Sequence, residues 1–162
     1  MDKKDVGCLK AEIYVYRAEL QDLGKAAGLF NQYRQFYKRD DDLSGAEQYI
    51  RERLTQGDSV IYLAVSKTAD TLVPAGYVQL YPSLSSLSMS RIWILNDLFV
   101  DSDYRGHGIG RKLLDQAKMH AVQTGAKGLT LSTQLHNLKA QRLYESAGYA
   151  RDDEFVYYNL NV

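Results

Sequence analysis

Leu95–Leu114 reads LNDLFVDSDYRGHGIGRKLL. The residue types run as a strand, a polar turn, a glycine-rich loop and the opening of a helix. Ile92, Trp93, Ile94, Leu95, Leu98, Phe99 and Val100 place apolar side chains on both alternating faces, as a strand covered on two sides requires. Beyond the loop, Ile109, Leu113, Ala117 and Ala121 recur at every fourth position and Leu114 widens the stripe, so an amphipathic helix follows. Gly125 stands where a terminating glycine belongs. A loop that feeds a helix N-terminus collects unpaired N–H groups, and such a spot suits phosphate. The glycines of Arg105-Gly106-His107-Gly108-Ile109-Gly110-Arg111 let a bulky anion approach the backbone, and the arginines add charge.

Three phosphate-site motifs compete for this loop. A Walker loop requires Gly-Lys-Ser/Thr, whereas Gly110 is followed by Arg111 and Lys112. A dinucleotide fingerprint spaces its glycines first, third and sixth; here they fall first, third and fifth. The third motif, Arg-x-x-Gly-x-Gly, is met by Arg105, Gly108 and Gly110. A second stretch, Asn137–Tyr149, NLKAQRLYESAGY, sets an Asn, an Ala three residues on, a Leu-Tyr pair and a Gly-aromatic in order. On these two motifs the chain resembles the GNAT superfamily of acyl-CoA-dependent N-acetyltransferases.

The resemblance implies an α+β GNAT fold: a central, mixed, strongly twisted sheet of about six or seven strands with about four helices on both faces. One domain is expected over residues 11–162, with the polar residues 1–10 a flexible N-terminus. Acetyl-CoA would serve as acetyl donor, and no metal is needed; His107, His120 and His136 are not spaced as ligands on one element. Its pyrophosphate would lie on Arg105, Gly106, His107, Gly108, Ile109, Gly110 and Arg111. Its pantetheine and thioester would meet backbone groups of Leu98, Phe99 and Val100, splayed away from the fifth strand, with an N–H near Phe99 or Val100 stabilising the oxyanion. Asn137 and Ala140 match cofactor-binding positions, although Asn137 serves equally as a plain helix cap. Tyr144 matches the tyrosine whose hydroxyl addresses the cofactor sulfur; a phenol stays protonated at neutral pH and can donate to a departing thiolate.

Asp97 is the internal candidate for the base that deprotonates the acceptor amine. Simple alternation sets it on one face with Trp93, Leu95 and Phe99, where desolvation would raise its pKa. A buried structural acid is an equal reading, and a third is no dedicated base, with a water chain reaching Tyr81 or a rim carboxylate. The acceptor reads as a cationic primary amine, of polyamine, aminoglycoside or lysine type. Asp40, Asp41 and Asp42 could attract it, but a solvated acidic turn is the commoner meaning of such a run. The segment from Tyr81 to Trp93 and the YRQFY of the first helix resemble the histone- and polyamine-acetylating branch. Members of that branch often pair through C-terminal strands, and the tail FVYYNLNV would suit a homodimer. A non-catalytic acyl-CoA sensor or scaffold is the alternative function, and an α/β domain that binds no nucleotide is the blandest one.

The remaining composition bounds these readings. The 162 residues suit one domain with a real core. Formal net charge is zero, which weighs against a nucleic-acid partner. Cys8 alone excludes an internal disulfide framework. No apolar run approaches membrane-spanning length and MDKKDVG lacks a signal peptide's apolar core, so a cytoplasmic protein is expected. Thirteen tyrosines would fill core edges or line a polar cleft.

Periodicity supplies the other elements. Strands are expected over Glu12–Arg17, Val60–Val65, Pro74–Tyr81, Gly128–Thr133 and Phe155–Leu160. Helices are expected over Leu23–Tyr37, from a Ser44/Glu47 capping box to Gly57, and over Asn137–Ala147 up to Gly148. Met1–Lys10 should fray, Lys67–Thr71 should turn a hairpin, and Pro82–Ser90 should be loop.

Overall fold

A computed structural model describes residues 12–68 and 71–162. The expected N-terminal fraying, Cys8 and the tip of the Lys67–Thr71 hairpin lie outside the described residues. The chain divides after Leu131 into two compact units.

The first unit is a five-stranded sheet in sequential order: β1 (Glu12–Arg17), β2 (Val60–Thr68), β3 (Thr71–Ser85), β4 (Ser90–Val100) and β5 (Gly128–Thr130). The first three pairings are antiparallel and β4/β5 is parallel, so the sheet is mixed. β3 and β4 run through much of the expected Pro82–Ser90 loop and turn only around residues 86–89. Cross-strand hydrogen bonding favours this over an unpaired serine-rich loop.

Two helices cover one face. α1 (Leu23–Phe36) and α2 (Leu43–Gln56) bury Leu23, Ala26, Ala27, Leu29 and Ile50 against Ile61, Leu63, Val65, Tyr77 and Phe99. α3 (Ile109–Gln123) covers the other face. All five residues of its expected stripe, Ile109, Leu113, Leu114, Ala117 and Ala121, are buried. There Trp93 Nε1 donates to Thr124 Oγ1 at 2.8 Å, and the buried His120 ring meets Trp93 and Tyr62 edge-on. Asp42, rather than Ser44, caps α2, its carboxylate accepting from Gly45 N at 2.8 Å. Gly57 closes α2 and Gly125 follows α3, both at left-handed φ.

The second unit holds α4 (Leu138–Ser146). Asn137 caps it, its Oδ1 accepting from Ala140 N at 3.2 Å, and Gly148 follows at φ 92°. The expected strand Phe155–Leu160 is not formed: these residues carry no ladder, and Phe155, Val156, Tyr157, Tyr158 and Leu160 are exposed. Alternating apolar residues make a strand only where a partner edge supplies hydrogen bonds. β5 is also shorter than Gly128–Thr133, and without the last strand the described residues form five strands rather than six or seven.

Candidate active site

β4 organises the site through one irregularity. Val100, Phe99, Leu98 and Asp97 pair with Gly76, Tyr77, Val78 and Gln79, but Leu95 pairs with Leu80, the very next residue on β3. Asn96 is therefore an extra residue, a β-bulge. Cross-strand partners share a face, so Asp97 and Phe99 lie with Gln79 and Tyr77 under α1. Leu95 and Trp93 lie with Leu80 and Pro82 on the face of α3. The expected grouping of Asp97 with Trp93 and Leu95 is thus corrected: the bulge reverses alternation between Leu95 and Asp97, and a one-residue insertion is invisible to a period-two pattern.

Burial shapes the chemistry of Asp97. It is 3% exposed, and desolvation pushes its carboxyl up to about 6 against hydrogen bonds from the Tyr33 hydroxyl and Asn96, which favour the anion. The Asn96 Nδ2 donor lies 3.1 Å away. Phenols crowd this face. Tyr33 of α1 contacts Tyr77, Phe99 and Tyr37 edge-on. Tyr81 shares a 2.6 Å hydroxyl–hydroxyl bond with Tyr49 of α2, which stacks on Phe30. Burial raises the Tyr77 and Tyr81 hydroxyls, so both stay protonated. The Tyr77 hydroxyl and Gln79 Oε1 are buried without a hydrogen-bond partner. Of these side chains only Asp97 and Tyr81 stand out in the sequence; the abundance of tyrosine was the one signal for the rest.

The acidic run has a structural role. Asn31 Nδ2 donates to Asp41 at 2.6 Å, Asp42 N donates back to Asn31 Oδ1, and Asp42 caps α2. Two of its three carboxylates thus hold the α1–α2 turn.

The same end of β4 leads into the glycine loop. The β4/β5 ladder stops at Ile94↔Thr130, so Leu98, Phe99 and Val100 keep β3 on one side and have no β5 partner on the other. Gly76 lets β3 lie close there, since a Cβ on it would stand 2.7 Å from the Phe99 carbonyl oxygen. A 3₁₀ turn, Ser102–Tyr104, links β4 to the loop. Gly106 (φ 83°) and Gly108 (φ 76°) take left-handed conformations, which L side chains resist. Gly108 is the N-cap of α3 and no side chain caps that end. The first-turn N–H groups beside Ile109 and Gly110 have no intrahelical acceptor, so they suit the diphosphate of a nucleotide carrier. Ile109 itself is buried beneath.

The flanking cations are engaged. Arg105 Nε donates to the Val100 carbonyl at 3.0 Å, and its guanidinium lies over the rings of Phe36 and Phe99 at 5.7 and 5.8 Å. It braces the loop against β4 and α1. Arg111 pairs with Asp115 at 2.9 Å. His107 Nδ1 lies 3.0 Å from the Arg105 carbonyl.

Asn137, Ala140 and Tyr144 belong to the second unit. Asn137 and Ala140 are the two partners of the α4 cap. Tyr144 is half-buried one turn further on, its ring 6.0 Å from that of Tyr149. Among the described residues no three His, Cys, Asp or Glu cluster as metal ligands, and no helix is long and apolar enough to cross a membrane.

Residues 26–149 match the model of the acetyltransferase (GNAT) family. The uncharacterized N-acetyltransferase YhfO of Bacillus subtilis (strain 168) is 49% identical over 148 residues, 91% of this chain and 97% of that protein. The thialysine N-epsilon-acetyltransferase of Bos taurus is 26% identical over 145 residues, 85% of this chain and 84% of its own. The crystal structure of a probable acetyltransferase superposes with a TM-score of 0.85 at 38% identity, covering 92% of this chain and 97% of that one. With the fold, the uncapped glycine loop and the family match in agreement, the chain belongs to the GNAT family and is an acetyltransferase.

Proposed function

We propose that this enzyme moves an acetyl group from acetyl-CoA directly to a cationic primary amine within a ternary complex. The observation that carries the reading is the pairing, at one end of β4, of a buried carboxylate among phenols with an uncapped, glycine-lined helix N-terminus. The carboxylate attracts an ammonium and can take its proton; the helix end favours a diphosphate.

Acetyl-CoA supplies an activated thioester, and GNAT acetyltransferases use it. Arg105, Gly106, His107, Gly108, Ile109, Gly110 and Arg111 would hold its pyrophosphate. Backbone groups of Leu98, Phe99 and Val100 would hold its pantetheine arm and polarise the thioester carbonyl. Asp97 takes the proton of the acceptor ammonium, freeing the lone pair that attacks. Collapse of the tetrahedral adduct breaks the C–S bond, and the Tyr144 hydroxyl would protonate the departing thiolate. Asn137 and Ala140 would contact the cofactor, and we treat residues 11–162 as one functional domain.

The acceptor class is supported by the site: a buried carboxylate near phenol hydroxyls favours a cation over an anion. The name of the Bos taurus relative, a thialysine N-epsilon-acetyltransferase, agrees with a side-chain amine. No nucleic acid or membrane enters the reaction. The proposed setting is the cytoplasm, and the proposed assembly is a homodimer joined through the C-terminal tail.

Thiol release tests the reading. Purified protein with acetyl-CoA and a panel of polyamines, aminoglycosides and lysine derivatives should free CoA only when a suitable amine is present. Tight CoA binding without amine-dependent release across the panel would instead indicate a sensor. In the active pair, Tyr144→Phe should lower kcat by at least about tenfold while leaving CoA affinity within about twofold; a variant at full rate would remove Tyr144 from the chemistry.

A further inference from the structure

We propose that the hydroxyls of Tyr49 on α2 and Tyr81 on β3 form a second acceptor subsite, selecting primary amines that carry a neutral hydroxyl or amide group beyond the amine to be acetylated. This rests on the reading that Asp97 receives the amine, and it narrows the acceptor class. The two hydroxyls share one bond at 2.6 Å. Tyr49 is 37% exposed and Tyr81 is half-buried, so the pair stands at the rim of the face on which Asp97 is buried.

Register places the pair. Tyr77, Gln79 and Tyr81 alternate along β3 onto the α1 face, and Gln79 is paired with Asp97. Tyr81 therefore stands one same-face step beyond the rung of the carboxylate, about 7 Å along the strand. Tyr49 meets it from the helix above, and its ring is held before any acceptor arrives. That ring stacks on Phe30 at 5.2 Å and 13°, and the Arg53 guanidinium lies over it at 4.9 Å. Arg53 is itself tied to Asp58 at 2.9 Å. A hydroxyl held in this way loses little further freedom on binding.

The chemistry of the pair sets what it can hold. Two phenols that share one hydrogen bond use one of their two protons, so the pair keeps one O–H to donate and lone pairs to accept. Burial, and then the bond to Tyr49, keep the Tyr81 hydroxyl protonated. A hydroxyl or an amide uses both functions at once. A second ammonium offers no acceptor to the remaining O–H and would stand beside the Arg53 guanidinium. A methyl end would strip water from the pair and return no bond. Asp97 and the phenol pair thus read one acceptor at two points, the reacting amine and a neutral polar group one strand step away.

The test is thiol release from acetyl-CoA by the full chain with three matched sets of acceptors. These are ω-amino alcohols of about three to six carbons, the alkylamines of the same length and the corresponding diamines. The alcohols should exceed both other sets in kcat/KM by about tenfold. The double variant Tyr49→Phe/Tyr81→Phe keeps both rings, and in it that preference should fall to about one, the loss appearing as a higher KM for the alcohols. Each single variant, which keeps one hydroxyl, should retain part of the preference. A wild type that prefers the diamines, or distinguishes none of the three sets, overturns the subsite. A double variant slowed on all three sets by one factor, with the preference intact, marks the hydroxyl bond as a structural tie between α2 and β3 and overturns it too. Turnover of some other amine but of none of these overturns the subsite alone, whereas no amine-dependent release from any acceptor overturns the amine-transfer reading and the subsite with it.

Discussion

Asp97 shows how burying one carboxylate sets stability against pH. Its carboxyl is raised from 3.8 to about 6, first by burial. Between those values the native protein binds a proton that the unfolded chain does not. The contribution of Asp97 to stability is therefore fullest below the unfolded value, declines as pH rises through about 6, and stays low above it. Asp97→Asn should stabilise the fold near neutral pH by on the order of 2 kcal/mol, while kcat/KM falls about 10²–10⁴-fold. Thermal melts and rates on the same preparation check both; a variant that is less stable and fully active would show a structural acid. Asp97 is legible in the sequence as a polar residue inside an apolar strand. Its neighbours are not, because Tyr33, Tyr49 and Tyr77 come from three other elements and carry no local mark.

Among elements, the β4–loop–α3 unit is the most local in its determinants. The stripe of α3, the glycine cap and the turn follow from residues near one another in sequence, so their reading survives folding unchanged. Gly108 gives the sharpest test. A Cβ there meets nothing within 4 Å, yet φ is 76°. Gly108→Val should therefore cost about 1–3 kcal/mol of backbone strain without a clash, leaving a folded protein. Its branched side chain would project at the uncapped N–H groups, and calorimetry should show CoA affinity lost. Binding at wild-type strength would place the diphosphate elsewhere. The Asn96 bulge is the counter-example at this scale. Nothing in LNDLFV announces it, since a bulge reports the register between two strands and not the preference of either.

For the molecule as a whole, the two faces of the sheet pull stability in opposite directions with pH. His120, on the α3 face, is lowered from 6.5 by burial and then by Arg17, and its Nδ1 shares a 3.0 Å bond with the Tyr62 hydroxyl. Its contribution is complete above the unfolded value and is lost as pH falls below it, because the unfolded chain then binds the extra proton. Acidification from about pH 7 to about pH 5 should thus weaken the α3 face while relieving Asp97. With acid the melting temperature of Asp97→Asn should fall and that of His120→Gln should rise, with the wild type between them. Parallel curves for all three would contradict the assignment. At the C-terminus, Phe155, Tyr157, Tyr158 and Leu160 are exposed, more apolar surface than a short tail needs. If it joins two copies, deletion of residues 155–162 should convert a dimer to a monomer in sedimentation; an unchanged mass would remove the tail from assembly. Chain order and hydrophobic period suffice to read the helices, the glycine loop and the α+β class, and the resemblance of the Arg105–Gly110 and Asn137–Tyr149 motifs points to the family, since each depends on neighbours within a few turns of chain. Folding alone settles the five-strand count, the face on which Asp97 lies, the bracing of Arg105 and the ring of phenols, because these depend on register and on contacts between residues far apart in the chain.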